Sequence, residues 1–311
     1  MKELIRLQTE VATGRFTLPV VILVCLLLWG VSYQEWNELF SLLITLFIGY
    51  IFIETNTAFN LIRTRTTMPV CIYWLITTAL FFLHPFDWSN FVPLVFVLAI
   101  YQHFLSYESP SFPFPTFHTF LFVSLGSLAF PQLLFITPLL WISMIPFRSM
   151  SWKNFWASLI GLMTPYWFLF GYAFFFEEMH LFLTPLKEAV HLYPIDFSHL
   201  TINELASWGF ITLLLMICGF HYWQIAFKDR TRTRINHSFL VNAGFWTTIL
   251  SILQPVHLCQ WMSIQLVCMA FLSGHLFTLT RNRFSGILFI VTFVLYILLM
   301  SFNLWMQYFN S

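Results

Sequence analysis

Apolar runs long enough to cross a bilayer recur along almost the whole chain, and no other feature of the sequence restricts the fold as much. A helix needs roughly 20 mainly apolar residues to span the hydrocarbon core. The runs lie at about 17–33, 39–60, 69–84, 91–107, 116–130, 132–147, 154–176, 205–226, 237–254, 258–278 and 285–306. They predict an all-α, polytopic transmembrane helical bundle of about 11 spans, a single domain over 1–311. Only 9% of residues are charged, against roughly a quarter in an ordinary soluble domain, so a water-soluble fold is excluded. The longest polar interval, 177–204, leaves no room for a separate soluble catalytic domain.

The basic residues orient these spans. With 1–16 as a cytoplasmic N-terminal segment, the cytoplasmic loops hold Lys2, Arg6, Arg15, Arg63, Arg65, Arg148, Lys153, Lys228, Arg230, Arg232, Arg234, Arg281 and Arg283. Of the 14 Lys and Arg residues only Lys187 falls outside, in the 177–204 loop. Lys and Arg favour cytoplasmic loops, so the N-terminus is expected in the cytoplasm of a cell inner membrane and the C-terminus extracytoplasmic. The first run follows Lys2, Arg6 and Arg15 but lacks a small-residue cleavage site, which reads as an uncleaved span.

Two stretches need closer reading. The runs at 116–130 and 132–147 are short and interrupted by Gly126, Pro131, Pro138 and Pro146. They fit either two kinked crossings or one re-entrant pair, and charge parity does not separate these. In the extracytoplasmic loop 177–204, Thr184-Pro185 suits a helix start, and Leu186, Val190 and Tyr193 repeat at helical spacing. A short amphipathic helix is expected there, followed by a second start at Thr201, whose Glu204 has capping-box spacing between Leu200 and Leu205.

Ionisable side chains within spans are costly, roughly 2.5–3.5 kcal/mol at the centre of the membrane, so each is a candidate for function. Glu54 is the carboxylate farthest inside a span, and Asn60 follows it about 120° around the helix. His103, His118, His221 and His275 are expected at the same cytoplasmic depth. Glu54, Asn60, His103 and His118 are therefore candidates for a polar binding cavity, with an interfacial Glu54 pairing with an arginine as the plainer alternative. On the outer face, Glu35, Glu38 and Asp87 are candidate catalytic carboxylates, and His84, Gln254 and His257 lie near them in the loops. The basic stretch from Lys228 to Arg234 suits an anionic lipid head group or a polyprenyl phosphate.

Several classes find no support. No basic platform outside the spans suggests nucleic acid. The five cysteines, Cys25, Cys71, Cys218, Cys259 and Cys268, are isolated, and no histidine pair has metal-ligand spacing, so neither a metal nor a cofactor is expected. Neither a nucleophile elbow nor a Walker loop is present.

The stretch 130–174 has a proline-broken span, the exit Pro146-Phe147-Arg148, then Trp152 and the run Ile160-Gly161-Leu162-Met163-Thr164-Pro165-Tyr166. It resembles an uncharacterised family of polytopic inner-membrane proteins from Bacteroidota, which implies lineage and topology. In architecture the chain is also similar to the membrane glycosyltransferases that use polyprenyl-phosphate sugars. That resemblance implies an acidic residue in the first external loop, where this chain has Glu35 and Glu38, although the loop is shorter. Three functions follow as expectations: a glycosyltransferase-like enzyme acting on a lipid-linked envelope intermediate, a transporter or lipid flippase with a cytoplasm-facing polar cavity, or a non-catalytic membrane scaffold.

Overall fold

The computed structural model describes residues 2–32, 36–191 and 193–309, and among them every regular element is helical. The first half comprises α1 (Lys2–Thr13), α2 (Thr17–Ser32), α3 (Glu38–Phe59), α4 (Met68–Ala79), α5 (Phe91–Leu105) and α6 (Phe114–Ala129). The second comprises α7 (Thr137–Ser143), α8 (Trp152–Phe175), α9 (Met179–Val190), α10 (Ile202–Ile225), α11 (Thr231–Leu253), α12 (Leu258–Leu279) and α13 (Arg283–Phe309). Six stretches, containing α3, α5, α8, α10, α12 and α13, are long and apolar enough to cross a membrane, and α1 with α2 makes a seventh, bent by 81°. The chain is thus a multi-pass helical membrane protein. The other expected spans fall short for visible reasons. α4 has only 12 residues and α6 only 16, while α11 has 23 but opens on the polar Thr231-Arg232-Thr233-Arg234.

At the centre stands α12, with 89% of its most apolar window buried, as expected of a helix apolar on every side. It packs against α4, α5, α10 and α11. Its close approach to α4 requires Gly274, where a Cβ would lie 2.5 Å from the Pro69 ring. Small residues serve this purpose between membrane helices, because lipid offers no hydrophobic drive and close contact must supply the attraction.

Hydrogen bonds gather the loops at two ends. At one, Thr66 Oγ1 donates to Ala12 O (2.6 Å), Thr233 Oγ1 to Asn60 O (3.5 Å), Arg232 Nη2 to Phe104 O (3.5 Å) and Glu108 N to Phe147 O (2.9 Å). Gln8 of α1, 1% exposed, donates to Phe277 O and Thr280 O, satisfying carbonyls left open where α12 ends. The segments carrying the basic residues other than Lys187 therefore share one end, which we term the basic end. At the opposite end Asn303 Nδ2 reaches Ala79 O (2.9 Å), and Tyr193 meets His257 edge to face.

The broken segment does reach that opposite end. Phe130 contacts His257 and Trp261, and the chain then returns to the basic end, where Phe147 packs on His103 and Phe104. The return is short in residues but extended, since Pro131–Ile136 forms a 3₁₀ helix and gains about 2 Å per residue instead of about 1.5 Å.

Two expectations about 177–204 fare differently. The second start holds, with Thr201 N donating to Glu204 Oε2 (2.9 Å). The first does not, because α9 begins at Met179 and Pro185 sits inside it. Thr184 turns its hydroxyl back to His180 O (2.8 Å) instead of capping a helix start.

Candidate functional site

The 228–231 turn between α10 and α11 brings a polar pocket to the basic end. About 400 Å³ in volume, it is lined by Asn60, Arg63, Lys228, Asp229, Arg230 and Thr233. Asn60 ends α3 in the left-handed conformation (φ 48°), which reverses the chain and presents the 60–67 loop to the 228–230 turn. Three cations face one carboxylate here. Asp229 Oδ2 accepts a hydrogen bond from His275 Nε2 at 2.9 Å, with the two side chains 6% and 2% exposed. Among the described residues Arg63, Lys228 and Arg230 form no ion pair.

Beneath Asp229 lies an aromatic polar cluster. Tyr222 stacks on His237 (centroids 5.0 Å apart, 23° between planes), and His275 stands against both at 5.1 and 4.7 Å. His237 Nδ1 lies 3.1 Å from Thr233 O, a carbonyl that only accepts, so Nδ1 carries a proton. Neighbouring Asn236 is fully buried, with neither amide atom partnered among the described residues.

Electrostatics hold Asp229 ionised. Its desolvation, the largest single influence, raises its pKa. The hydrogen bond from His275 and the charges of His275, His237 and Arg63 together outweigh that and keep the carboxyl below its usual range.

The residues singled out from sequence are dispersed. Glu54 is exposed on the outer face of α3, beside Tyr50 and Thr57, which corrects the expectation of an interior carboxylate joined to Asn60, His103 or His118. The reason is helical phase: Ile51, Phe52, Thr55 and Phe59 form the buried stripe of α3, and position 54 falls outside it. His103 is buried in a structural role. Ser143 donates to Leu140 O (2.7 Å) and so accepts from His103 Nε2 (2.7 Å), with Phe147 and Phe239 against the ring. His118 bonds its own helix at Phe114 O (2.8 Å), and His221 is half-buried near Phe284. Of these groups the structure brings only Asn60 and His275 to the basic-end site.

The outer carboxylates line no cavity described at that end. Glu35 lies outside the described residues, and Glu38 is buried at the start of α3, with Oε2 unpartnered. Asp87 caps a short turn, accepting from Ser89 N (3.2 Å) and Ser89 Oγ (2.6 Å). The nearest cavity at that end, about 50 Å³, is lined by neutral residues such as Ser41, Thr45, Asn90 and Gln260.

Asp229, His237 and Tyr222 were missed in the sequence. Asp229 did carry a signal, as the one acid within the basic run Lys228 to Arg234. The sequence matches no protein-family model, and no curated protein or solved structure matches it.

Exposure of Glu54 carries its own expectation: Glu54→Gln and Glu54→Leu both leave abundance in the membrane fraction unchanged on immunoblots. A marked loss in Glu54→Leu would instead place an unseen partner on that face of α3.

Proposed function

We propose that this chain is an inner-membrane carrier or flippase whose basic-end pocket binds an anionic, phosphate-bearing lipid head group from the cytoplasmic side, as on a lipid-linked envelope intermediate. The observation behind this reading is the pocket of Arg63, Lys228 and Arg230, in which the single carboxylate, Asp229, already accepts from His275. Its partner being internal, Asp229 leaves the three cations available to an anion, and guanidinium groups match phosphate oxygens in geometry. Clustering of the basic segments at one end supports eleven crossings with that end in the cytoplasm. The carrier reading is preferred to the transferase reading because Glu38 is buried, Asp87 is engaged as a cap, and neither lines the small cavity at the opposite end.

Purified protein in nanodiscs of phosphatidylcholine doped with undecaprenyl phosphate tests this, with bound lipid measured by mass spectrometry. Near a membrane surface each basic residue contributes about 1 kcal/mol, so Arg63→Gln/Lys228→Gln/Arg230→Gln should weaken binding on the order of a hundredfold at low salt. Arg281→Gln/Arg283→Gln, at the same end but outside the pocket, is the control for general attraction. Equal losses in both variants, or no preference for the phosphate lipid, would refute the reading.

A further inference from the structure

A second cavity, of about 660 Å³, opens beside the elbow between α1 and α2 and has no part in the reading above. Its walls are hydrocarbon: Val21 from α2, Ile72 and Ile76 from α4, and Phe289, Phe293 and Tyr296 from α13. Polar groups gather where α1 turns into α2. Glu10 lies at this mouth, ion-paired to Arg6 at 2.7 Å, and Thr17 turns its hydroxyl to Val11 O. Along α4 the lining runs from Met68 to Ile76, about 12 Å of helix rise.

We infer that this cavity is a binding site for one acyl chain of a bilayer phospholipid, with the head group at the Arg6–Glu10 pair. The shape of the mouth sets the polarity of the occupant. The Arg6–Glu10 pair, exposed at the mouth and balanced within itself, suits a zwitterionic head group and offers no unbalanced charge to an anionic one. Size sets its class. The apolar lining follows α4 for only about 12 Å, little more than two helical turns, which is a short seat for a packed helix and ample for a hydrocarbon chain. A flexible hydrocarbon chain is much thinner and takes the shape of an irregular wall. The bend explains why the cavity exists. Gln8 and Thr66 hold α1 flat against the ends of α12 and the 60–67 loop, so α1 cannot continue the line of α2 and close the space beside α4 and α13. The atoms lining an unfilled space forgo their dispersion contacts, and an acyl chain restores them.

Photo-crosslinking in vesicles of phosphatidylcholine containing a tracer with a diazirine near the end of one acyl chain tests the inference. Peptide mapping should find label concentrated on Ile72, Ile76 and Phe293, above the level on Phe168 of α8, which is exposed on the outside of the bundle. Ile72→Trp, which fills the cavity, should bring that label down to the Phe168 level. Because a buried tryptophan risks misfolding, Val20→Trp at the exposed lip is the second variant and should produce the same loss. Label spread evenly over α2, α8 and α13, label unchanged in a folded Val20→Trp protein, or cross-linking of two chains through these residues would each overturn the inference. None of these outcomes involves Arg63, Lys228 or Arg230, so failure here is distinguishable from failure of the anion-pocket reading.

Discussion

Gly161→Leu is expected to cost about 3 kcal/mol or more, at the upper end for overpacking, because the added atoms meet backbone that has nowhere to go. A Cβ at position 161 would lie 2.5 Å from Phe117 O and 3.2 Å from Leu121 N, both main-chain atoms of α6. When the obstructing atom ends a flexible side chain, a rotamer change relieves the clash. Here only separation of α6 from α8 does so. That separation would also break the polar contacts stitching the two helices: Ser124 Oγ to Leu162 O at 2.6 Å and Ser127 Oγ with Tyr166 Oη at 2.9 Å. Interhelical bonds of this kind in membranes contribute about 0.6 kcal/mol each on average, so their loss adds to the steric cost. Gly171→Leu is the matched control, since it lies on the same helix with nothing within 4 Å of its Cβ position. Thermal unfolding of both variants in one detergent should separate them clearly. If Gly161→Leu unfolds with Gly171→Leu and the parent protein, the close α6–α8 contact is wrong.

The contrast between these two glycines shows why the sequence discloses the architecture better than the site. Both stand in apolar runs of similar composition, and hydropathy, an average over many residues, treats them alike. The same average finds the six long spans and the bent seventh, because bilayer thickness demands long apolar stretches whatever their packing. Charge likewise collects the basic segments correctly, since Arg232 reaching Phe104 O and Thr233 reaching Asn60 place loops far apart in sequence at one end. Side-chain facing is another matter. Glu54 looked interior because it is deep in a run, yet depth along a helix says nothing of angle around it. In α3 the buried stripe at Ile51, Phe52, Thr55 and Phe59 excludes it. Asp229 escaped notice for the opposite reason. It lies in a turn whose basic neighbours set its apparent character, and its partner His275 is 46 residues away on the central helix. The capping box at Thr201 was readable, being a relation over three residues, whereas the Asp229–His275 contact depends on how α10, α11 and α12 pack.

Asp229 should also give the fold a distinct acid limb. Its carboxyl ionises more readily in the folded protein than in the unfolded chain, through the hydrogen bond of His275 and the charges of His275, His237 and Arg63 acting against desolvation. At a given acidic pH the unfolded state therefore binds the proton more readily than the folded one. The stability from this group is complete above the ordinary carboxylate range, near pH 4, and is lost as pH falls through the lower folded value. Unfolding of the parent protein in detergent should accordingly show the Asp229 carboxylate contributing fully near pH 5 and less in more acidic buffer. Asp229→Ala removes the acceptor and leaves the buried His275 Nε2 without its partner, at a cost of about 1–3 kcal/mol at pH 7. Asp229→Asn retains an acceptor oxygen but not the charge, and charge-assisted hydrogen bonds are roughly twice as strong as neutral ones, so about half of that loss is expected. Other carboxylates add acid sensitivity of their own, which makes the difference between parent and variant the quantity to follow. Below pH 5 that difference should shrink, as the parent loses what the variants never had. A difference that stays constant from pH 5 to 3, or grows across that range, would mean that Asp229 is not held ionised by His275 and its neighbours. His275→Ala combined with Asp229→Ala then completes a double-mutant cycle. For two side chains in direct contact the coupling should exceed about 0.5 kcal/mol at pH 7 and vanish in acid.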